Sequence, residues 1–290
     1  MRKLALYAGV ALAAGYLSAG AALWASQKHL IFEPERELAV QPAELGFPVD
    51  EVLIPVRGAR GTQWLQAWWM PAARPDAKVV LYLHGNEGNV STSLGKTELL
   101  RQLGYSVLAV DYRGYGRSDG RFPSEGKAYK DAEAALAALA GEWVANPRDI
   151  YVYGHSLGAA IAIDLAAKHP ELGGLIVESG FTSIYDMARL EPQYEIFPLE
   201  LLINQRFESI KKVPQLQLPV LYIHGTADRV VPYRMGVELF EHSGGTKRLL
   251  TVRGGGHDDN AAVAPAQLRA AIAAFMGGEP ADIGDLAGAL

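Results

Sequence analysis

The sequence predicts an α/β protein with a mostly parallel central sheet of about eight strands and helices on both of its faces. Three observations carry that expectation. Six short runs, Lys78 to Leu83, Tyr105 to Val110, Ile150 to Tyr153, Leu175 to Val177, Val220 to Ile223 and Arg248 to Val252, are nearly continuous in apolarity, as in strands buried on both faces. Helical patterns lie between most of them, around Thr97 to Leu103, Ala128 to Trp143, Ala159 to Lys168, Met235 to His242 and Ala266 to Met276. Ahead of them, Glu51 to Val56 and Gln63 to Met70 cluster β-formers around Arg57-Gly58-Ala59-Arg60-Gly61, a hairpin-like pair. In such a sheet, functional groups are expected at the carboxyl ends of the strands.

From the amino terminus, the chain first offers a membrane segment. Leu4 to Ala25 holds no charged residue, and as a helix it runs roughly 33 Å, enough to cross a bilayer. A cleaved signal peptide competes with this anchor, because Met1-Arg2-Lys3 is basic and Ala19-Gly20-Ala21 offers small residues for cleavage. The length argues for retention, since the apolar part of a signal peptide is usually ~7–15 residues. Arg2 and Lys3 on the short side place the amino terminus in the cytoplasm and the large domain on the extracytoplasmic, periplasmic side. Residues 1–26 are thus the expected anchor.

Gln27 to Phe47, with Pro34 and Pro42, reads as an extended connector opening one catalytic domain, 27–276. The strand-helix alternation breaks between Phe181 and Leu218, where Tyr194, Phe197, Leu201 and Phe207 suggest a short helical insertion over the sheet edge, either a lid or a plain crossover. Residues 277–290 are rich in Gly, Ala and acidic side chains and read as a flexible tail.

Composition narrows the function. The 290 residues carry a net charge of −5 with no long run of like charge, so the chain lacks the electrostatic footprint of a nucleic-acid partner. The absence of Cys excludes thiolate metal sites, redox disulfides and a Cys nucleophile.

The chemistry concentrates at Ile150-Tyr-Val-Tyr-Gly154-His155-Ser156-Leu157-Gly158, a strand, then Gly-x-Ser-x-Gly, then a helix. A serine held on a sharp turn exposes its hydroxyl, and small neighbours let the backbone turn that tightly. The helix that follows adds free N–H groups and a positive dipole end, which favour developing negative charge. A base and an orienting acid are offered by His257, on the Gly-rich loop after the last strand, and by Asp228, after the strand before it. The order Ser156, Asp228, His257 is that of the α/β-hydrolases rather than of chymotrypsin-like or subtilisin-like enzymes.

At this point the chain resembles a known family. Gly154-His155-Ser156-Leu157-Gly158, His84-Gly85-Asn86, Asp111-Tyr112-Arg113-Gly114-Tyr115-Gly116 and Glu178-Ser179-Gly180-Phe181-Thr182-Ser183 look like the α/β-hydrolase fold in its Bem46-like or ABHD13/ABHD17-like branch. That branch tends to carry an N-terminal membrane segment followed by Leu-Ile-Phe-x-Pro, matched by Leu30-Ile31-Phe32-Glu33-Pro34. The resemblance implies a serine hydrolase needing no cofactor and no metal. It also implies an oxyanion hole built from the backbone N–H groups of Asn86 and Leu157.

Other residues are set aside. Gly95-Lys96-Thr97 ends like a phosphate-binding loop, but Val90 stands where its first glycine belongs. Asp111 reads as a partner of backbone amides, His155 and His224 as packed histidines, and Asp186 as a weaker rival to Asp228. Asp258 and Asp259 beside His257 only superficially suggest a metal cluster. Asn89-Val90-Ser91 fits a glycosylation sequon, yet lies in the expected oxyanion loop. The expected activity is hydrolysis of a carboxylic ester or thioester of a small-molecule or lipid-like acyl substrate, through an acyl-enzyme on Ser156. A peptidase or amidase of the same fold and a catalytically silent membrane-anchored binding protein are the rivals.

Overall fold

The computed structural model describes residues 1–58 and 61–277; beyond Gly277 the expected tail lies outside the described residues. Eight strands form one sheet: β1 (Asp50–Gly58), β2 (Gly61–Met70), β3 (Val79–Leu83), β4 (Ser106–Val110), β5 (Ile150–His155), β6 (Gly174–Glu178), β7 (Val220–Gly225) and β8 (Lys247–Val252). Their spatial order is β1-β2-β4-β3-β5-β6-β7-β8. The antiparallel hairpin β1–β2 joins β4 antiparallel, and every pairing from β4 across to β8 is parallel. The expected fold class holds, and each strand falls within a few residues of its apolar run.

The apolar runs are continuous because each inner strand is covered twice. Leu81, Val152, Leu175 and Val177 face one buried cluster, and Val80, Tyr82, Tyr153 and Ile176 face the other. Helices α3 (Glu125–Glu142) and α4 (Leu157–Lys168) supply the first layer through residues such as Ala132, Leu136, Ile161 and Leu165. Helices α2 (Leu94–Gln102) and α10 (Pro265–Gly277) supply the second through Leu100, Leu268 and Ile272. Side chains alternate across a strand with period two, so four to six consecutive apolar residues are needed to fill both layers.

The break in alternation is a run of short helices, α5 (Ile184–Ala188), α6 (Leu199–Leu202) and α7 (Ser209–Lys212). It is pinned to the body by Glu125, whose carboxylate accepts the backbone N–H groups of Arg206 at 2.6 Å and Phe207 at 2.9 Å. Lys212 Nζ adds a bond to Asp164 Oδ1 at 2.6 Å. Two further helices, α8 (Tyr233–His242) and α9 (Asn260–Val263), flank the last strands.

The amino-terminal boundary differs from the sequence reading. Helix α1 (Arg2–Ile31) runs unbroken through residues 26 and 27, so Gln27 to Ile31 are helical rather than extended. No Gly or Pro intervenes between Ala21 and Pro34, and the backbone turns extended at Phe32, two residues ahead of that proline. Glu33–Pro34 then pairs in parallel with Glu87–Gly88, which ties this segment to the loop after β3. Phe32 is buried and packs edge-on against Phe207 with ring centroids 6.0 Å apart. Truncation of Phe32 to alanine should therefore cost about 3–5 kcal/mol. A thermal or chemical melt of the full chain in detergent, compared with wild type, checks that value.

Candidate active site

Three strand ends and one helix start build the site. Ser156 links the end of β5 to α4 with φ 55° and ψ −117°, a left-handed conformation that a non-glycine residue adopts only when its surroundings enforce it. The enforcement is steric and hydrogen-bonded. A Cβ on Gly158 would collide with the carbonyl oxygens of Leu83 and His84, and one on Gly154 with the backbone of Gly158 and Ala159. The Ser156 N–H donates to Glu178 O at 2.9 Å, locking the turn to β6.

The hydroxyl so presented meets the residues expected from sequence. His257 Nε2 lies 2.9 Å from Ser156 Oγ, and His257 Nδ1 lies 2.8 Å from Asp228 Oδ2. Asp228 Oδ1 accepts the backbone N–H groups of Val230 and Val231 at 2.9 and 2.8 Å. Burial alone pushes the Asp228 carboxyl up, but hydrogen bonds from His224 and His257 and the Val231 amide outweigh it and hold the group well below the usual carboxylate range. Asp228 is thus a fixed negative charge against Nδ1, which keeps that proton on Nδ1 and leaves Nε2 free to accept from the serine.

The supporting residues were invisible in the sequence as partners of this site. The backbone carbonyl of His257 accepts from His155 Nε2 at 3.1 Å and from Ser179 Oγ at 3.0 Å, so two strand ends position the histidine loop. Burial, with the nearby Lys96 charge, pushes His155 down to about 4, which keeps this ring neutral at neutral pH. Beneath them Glu178 is fully buried, and Lys96, Tyr153 and Asn260 donate to it at 2.7, 2.8 and 3.0 Å. Burial opposes the Glu178 charge, yet Lys96 leads the interactions that hold this carboxyl below its ordinary range. His224 Nε2 bonds Val231 O at 3.0 Å and approaches Asp228 Oδ2 to 3.3 Å. The contacts of Glu178 and of the His257 carbonyl join residues tens of positions apart, whereas His224 meets Val231 and Asp228 within one loop, and no local motif signals any of them.

Asn86 and Leu157 come to the same place. Leu157 is the first residue of α4, so its N–H has no intrahelical acceptor. His84 Nδ1 donates to Gly85 O at 2.8 Å and so fixes the peptide that carries the Asn86 N–H. The Asn86 carbonyl is held by the Glu33 N–H at 2.9 Å and the Tyr115 hydroxyl at 2.6 Å.

The residues set aside are accounted for. Asp111 Oδ1 accepts the Val90 N–H at 2.8 Å, and Asp186, in the first turn of α5, accepts from the Thr182 and Ser183 hydroxyls at 2.8 and 2.6 Å. Asn89 is fully buried and its amide donates to Glu37 O at 2.8 Å, which leaves no room for a glycan. Lys96 serves Glu178 rather than a phosphate. Among the described residues, His155, His257 and Asp258 bring metal-capable atoms within 4.8 Å of one another. Both His257 nitrogens are already engaged by Ser156 and Asp228, and His155 Nε2 by a carbonyl, so this group does not fit an ion without dismantling the relay.

A cavity of about 310 Å³ joins Ser156, Asn86 and Leu157 to an apolar wall from the insertion, including Ile184, Met187, Leu199 and Ile203. Its other wall comes from α1, through Leu23, Gln27, Leu30 and Ile31. Helix α1 therefore contributes to the site, which the expected division into 1–26 and 27–276 did not anticipate.

This architecture and serine turn define a hydrolase of the α/β class, and comparison with known proteins agrees. A family model described as serine aminopeptidase, S33, matches residues 74–207. The chain is 35% identical over 240 residues to the uncharacterized protein Rv2307c of Mycobacterium tuberculosis, covering 82% of each chain. It is 32% identical over 262 residues to protein bem46 of Schizosaccharomyces pombe, covering 83% of each. The esterase Pf2001 of Pyrococcus furiosus shares the fold with a TM-score of 0.67 at 21% identity, over 86% of this chain and 98% of that one. The chain belongs to the α/β-hydrolase family, in its Bem46-like branch.

The serine turn depends on Gly158 having no side chain. Gly158→Ala should cost about 3 kcal/mol through backbone displacement and lower the melting temperature by roughly 6–12 °C. Scanning calorimetry or a dye-based melt checks this.

Proposed function

We propose that this protein hydrolyses carboxylic esters or thioesters through Ser156, His257 and Asp228. The single observation that carries the reading is the continuous relay from Asp228 through His257 to Ser156, at 2.8 and 2.9 Å, opening on an apolar cavity. Ser156 Oγ attacks the acyl carbon as His257 Nε2 takes its proton, and Asp228 stabilises the imidazolium that results. The N–H groups of Asn86 and Leu157 hold the oxyanion, each contributing on the order of 3 kcal/mol at the transition state. The alcohol or thiol leaves with the proton from His257. Water, deprotonated by the same nitrogen, then cleaves the acyl-enzyme and regenerates Ser156. Neither step calls for a metal or an organic cofactor.

Two features favour an ester over an amide: the wall beside Ser156 is mostly apolar, and a relative in fold is named an esterase. The amide reading draws on the family model's description as a serine aminopeptidase and on Glu191, the acidic residue lining the cavity, which could receive a substrate's amino group. p-Nitrophenyl esters and p-nitroanilides of the same acyl group discriminate between them.

Helix α1 is proposed as a retained anchor. Among the described residues it is the one helix long and apolar enough to cross a membrane. Cleavage near Ala21 would remove Tyr16 and Gly20, both of which touch the insertion. The extracytoplasmic placement of the domain rests on Arg2 and Lys3 alone.

Ser156→Ala should leave the fold intact, abolish labelling by a fluorophosphonate and lower kcat/KM for a short p-nitrophenyl ester by several orders of magnitude. Near-wild-type turnover in that variant would remove the nucleophile from the scheme. The pH dependence follows from the charges. Asp228 stays ionised and His155 stays neutral across pH 5 to 9, so neither adds a step to the profile. An imidazole accepts a proton only when neutral, so kcat/KM should rise once with increasing pH to a plateau. A flat profile with a chemically rate-limited ester would contradict His257 as base.

A further inference from the structure

Helix α1 docks along the insertion by one face. Tyr16, Gly20, Leu23 and Gln27 stand at spacings of four, three and four, the repeat of a single helical stripe. The Tyr16 hydroxyl donates to Ile196 O at 2.8 Å and its ring stacks on Phe197 at 5.6 Å. Gly20 faces Leu202, and the Gln27 amide donates to Leu202 O at 2.7 Å and accepts the Asn204 N–H at 2.8 Å. Together α1 and the insertion line the cavity that holds Ser156.

The docking constrains where a membrane can sit. A spanning helix needs at least ~17 residues, and counted from Arg2 that stretch ends at Ser18, beyond Tyr16. Ile196 and Phe197 must then lie at or below the boundary between acyl chains and headgroups. Ile196 is 68% exposed and Leu201 81% exposed, apolar side chains with no cover in the isolated molecule, and Trp24, about two helical turns past Tyr16, is 54% exposed. Tyr16 at the end of the span and Trp24 about 12 Å further toward the headgroups suit the aromatic belt of membrane proteins. Exposed Glu195 and Glu200 set the limit of immersion, since carboxylates stay at headgroup depth. Leu23, at the cavity wall, stands five residues past Ser18, roughly 8 Å along the helix, which is within the headgroup layer.

We infer that the tip of the insertion around Ile196 is inserted in the bilayer beside α1, and that the cavity receives the acyl chain of a single-chain membrane lipid ester directly from the bilayer, along Leu23. The chemistry rests on the esterase reading above; the insertion does not. At about 310 Å³ the cavity lies at the lower end of small-ligand sites, which suits one chain rather than two.

The chain has no native cysteine, so Ile196→Cys and the control Glu142→Cys can each carry one nitroxide in the full protein reconstituted in phosphatidylcholine vesicles. Paramagnetic relaxation should show the label at 196 shielded from an aqueous nickel chelate and exposed to oxygen, with the reverse at 142. A label at 196 as open to nickel as the control overturns the inference whatever the activity. Activity supplies the second arm. Ile196→Asp should leave kcat/KM for p-nitrophenyl butyrate in water within twofold of wild type and cut hydrolysis of 1-oleoylglycerol in the vesicles at least tenfold. Equal effects on both esters, or no effect on either, overturn lateral delivery. A wild-type protein inert toward both esters, with the label immersed, defeats the esterase reading and upholds the insertion.

Discussion

The geometry of the site depends on the close approach of the β5–α4 turn to the end of β3. Gly158 rests against the carbonyls of Leu83 and His84, and no side chain fits between them. That approach holds Ser156 in a left-handed backbone conformation and directs the start of α4 at the cavity. It also brings the loop after β3, with Asn86, alongside Leu157. A strained residue persists only where its neighbours over-determine it. Here they are the register of β3, β5 and β6 and the bond from the Ser156 N–H to Glu178 O.

The same strand ends carry a second layer of polar groups. Glu178 is a charge with no access to water, and such a charge is costly unless its lone pairs are satisfied. Lys96, Tyr153 and Asn260 satisfy it from α2, β5 and α9, which joins elements on opposite sides of the serine turn. Above it, His155 and Ser179 hold the carbonyl of His257. The histidine therefore sits on a Gly-rich loop without being loose, and the relay distances follow from this support rather than from the loop's own conformation.

The amino-terminal helix changes how the domain is divided. Helix α1 and the body of the domain share a wall, because Tyr16 to Gln27 pack on the insertion and Leu23 to Ile31 reach the cavity. An apolar stretch of this kind is ordinarily explained by the membrane alone. In this protein part of its apolarity serves a protein–protein contact within one chain, and the glutamine at its end is buried to bond the backbone of Leu202 and Asn204.

The sequence by itself determined the sheet, because strands covered on both faces must be continuously apolar and the helices between them periodic. It also determined which serine, histidine and aspartate to consider, since Gly154-x-Ser156-x-Gly158 and the loops after the last two strands are local signals written in adjacent residues. Asn86 and Leu157 came from family resemblance, not from any local physical rule. Only the tertiary structure decided the rest. The partnership of Glu178 with Lys96 and the grip of His155 and Ser179 on His257 join residues distant in sequence, and His224, four residues before Asp228, meets it only through the path of the loop after β7, so nothing in a neighbouring residue records these contacts. The end of α1 was misplaced for a related reason. Pro34 and Pro42 suggest an extended connector, while the stretch before Pro34 holds no helix breaker and packs at Gln27 against an insertion some 170 residues away, a contact no local pattern records.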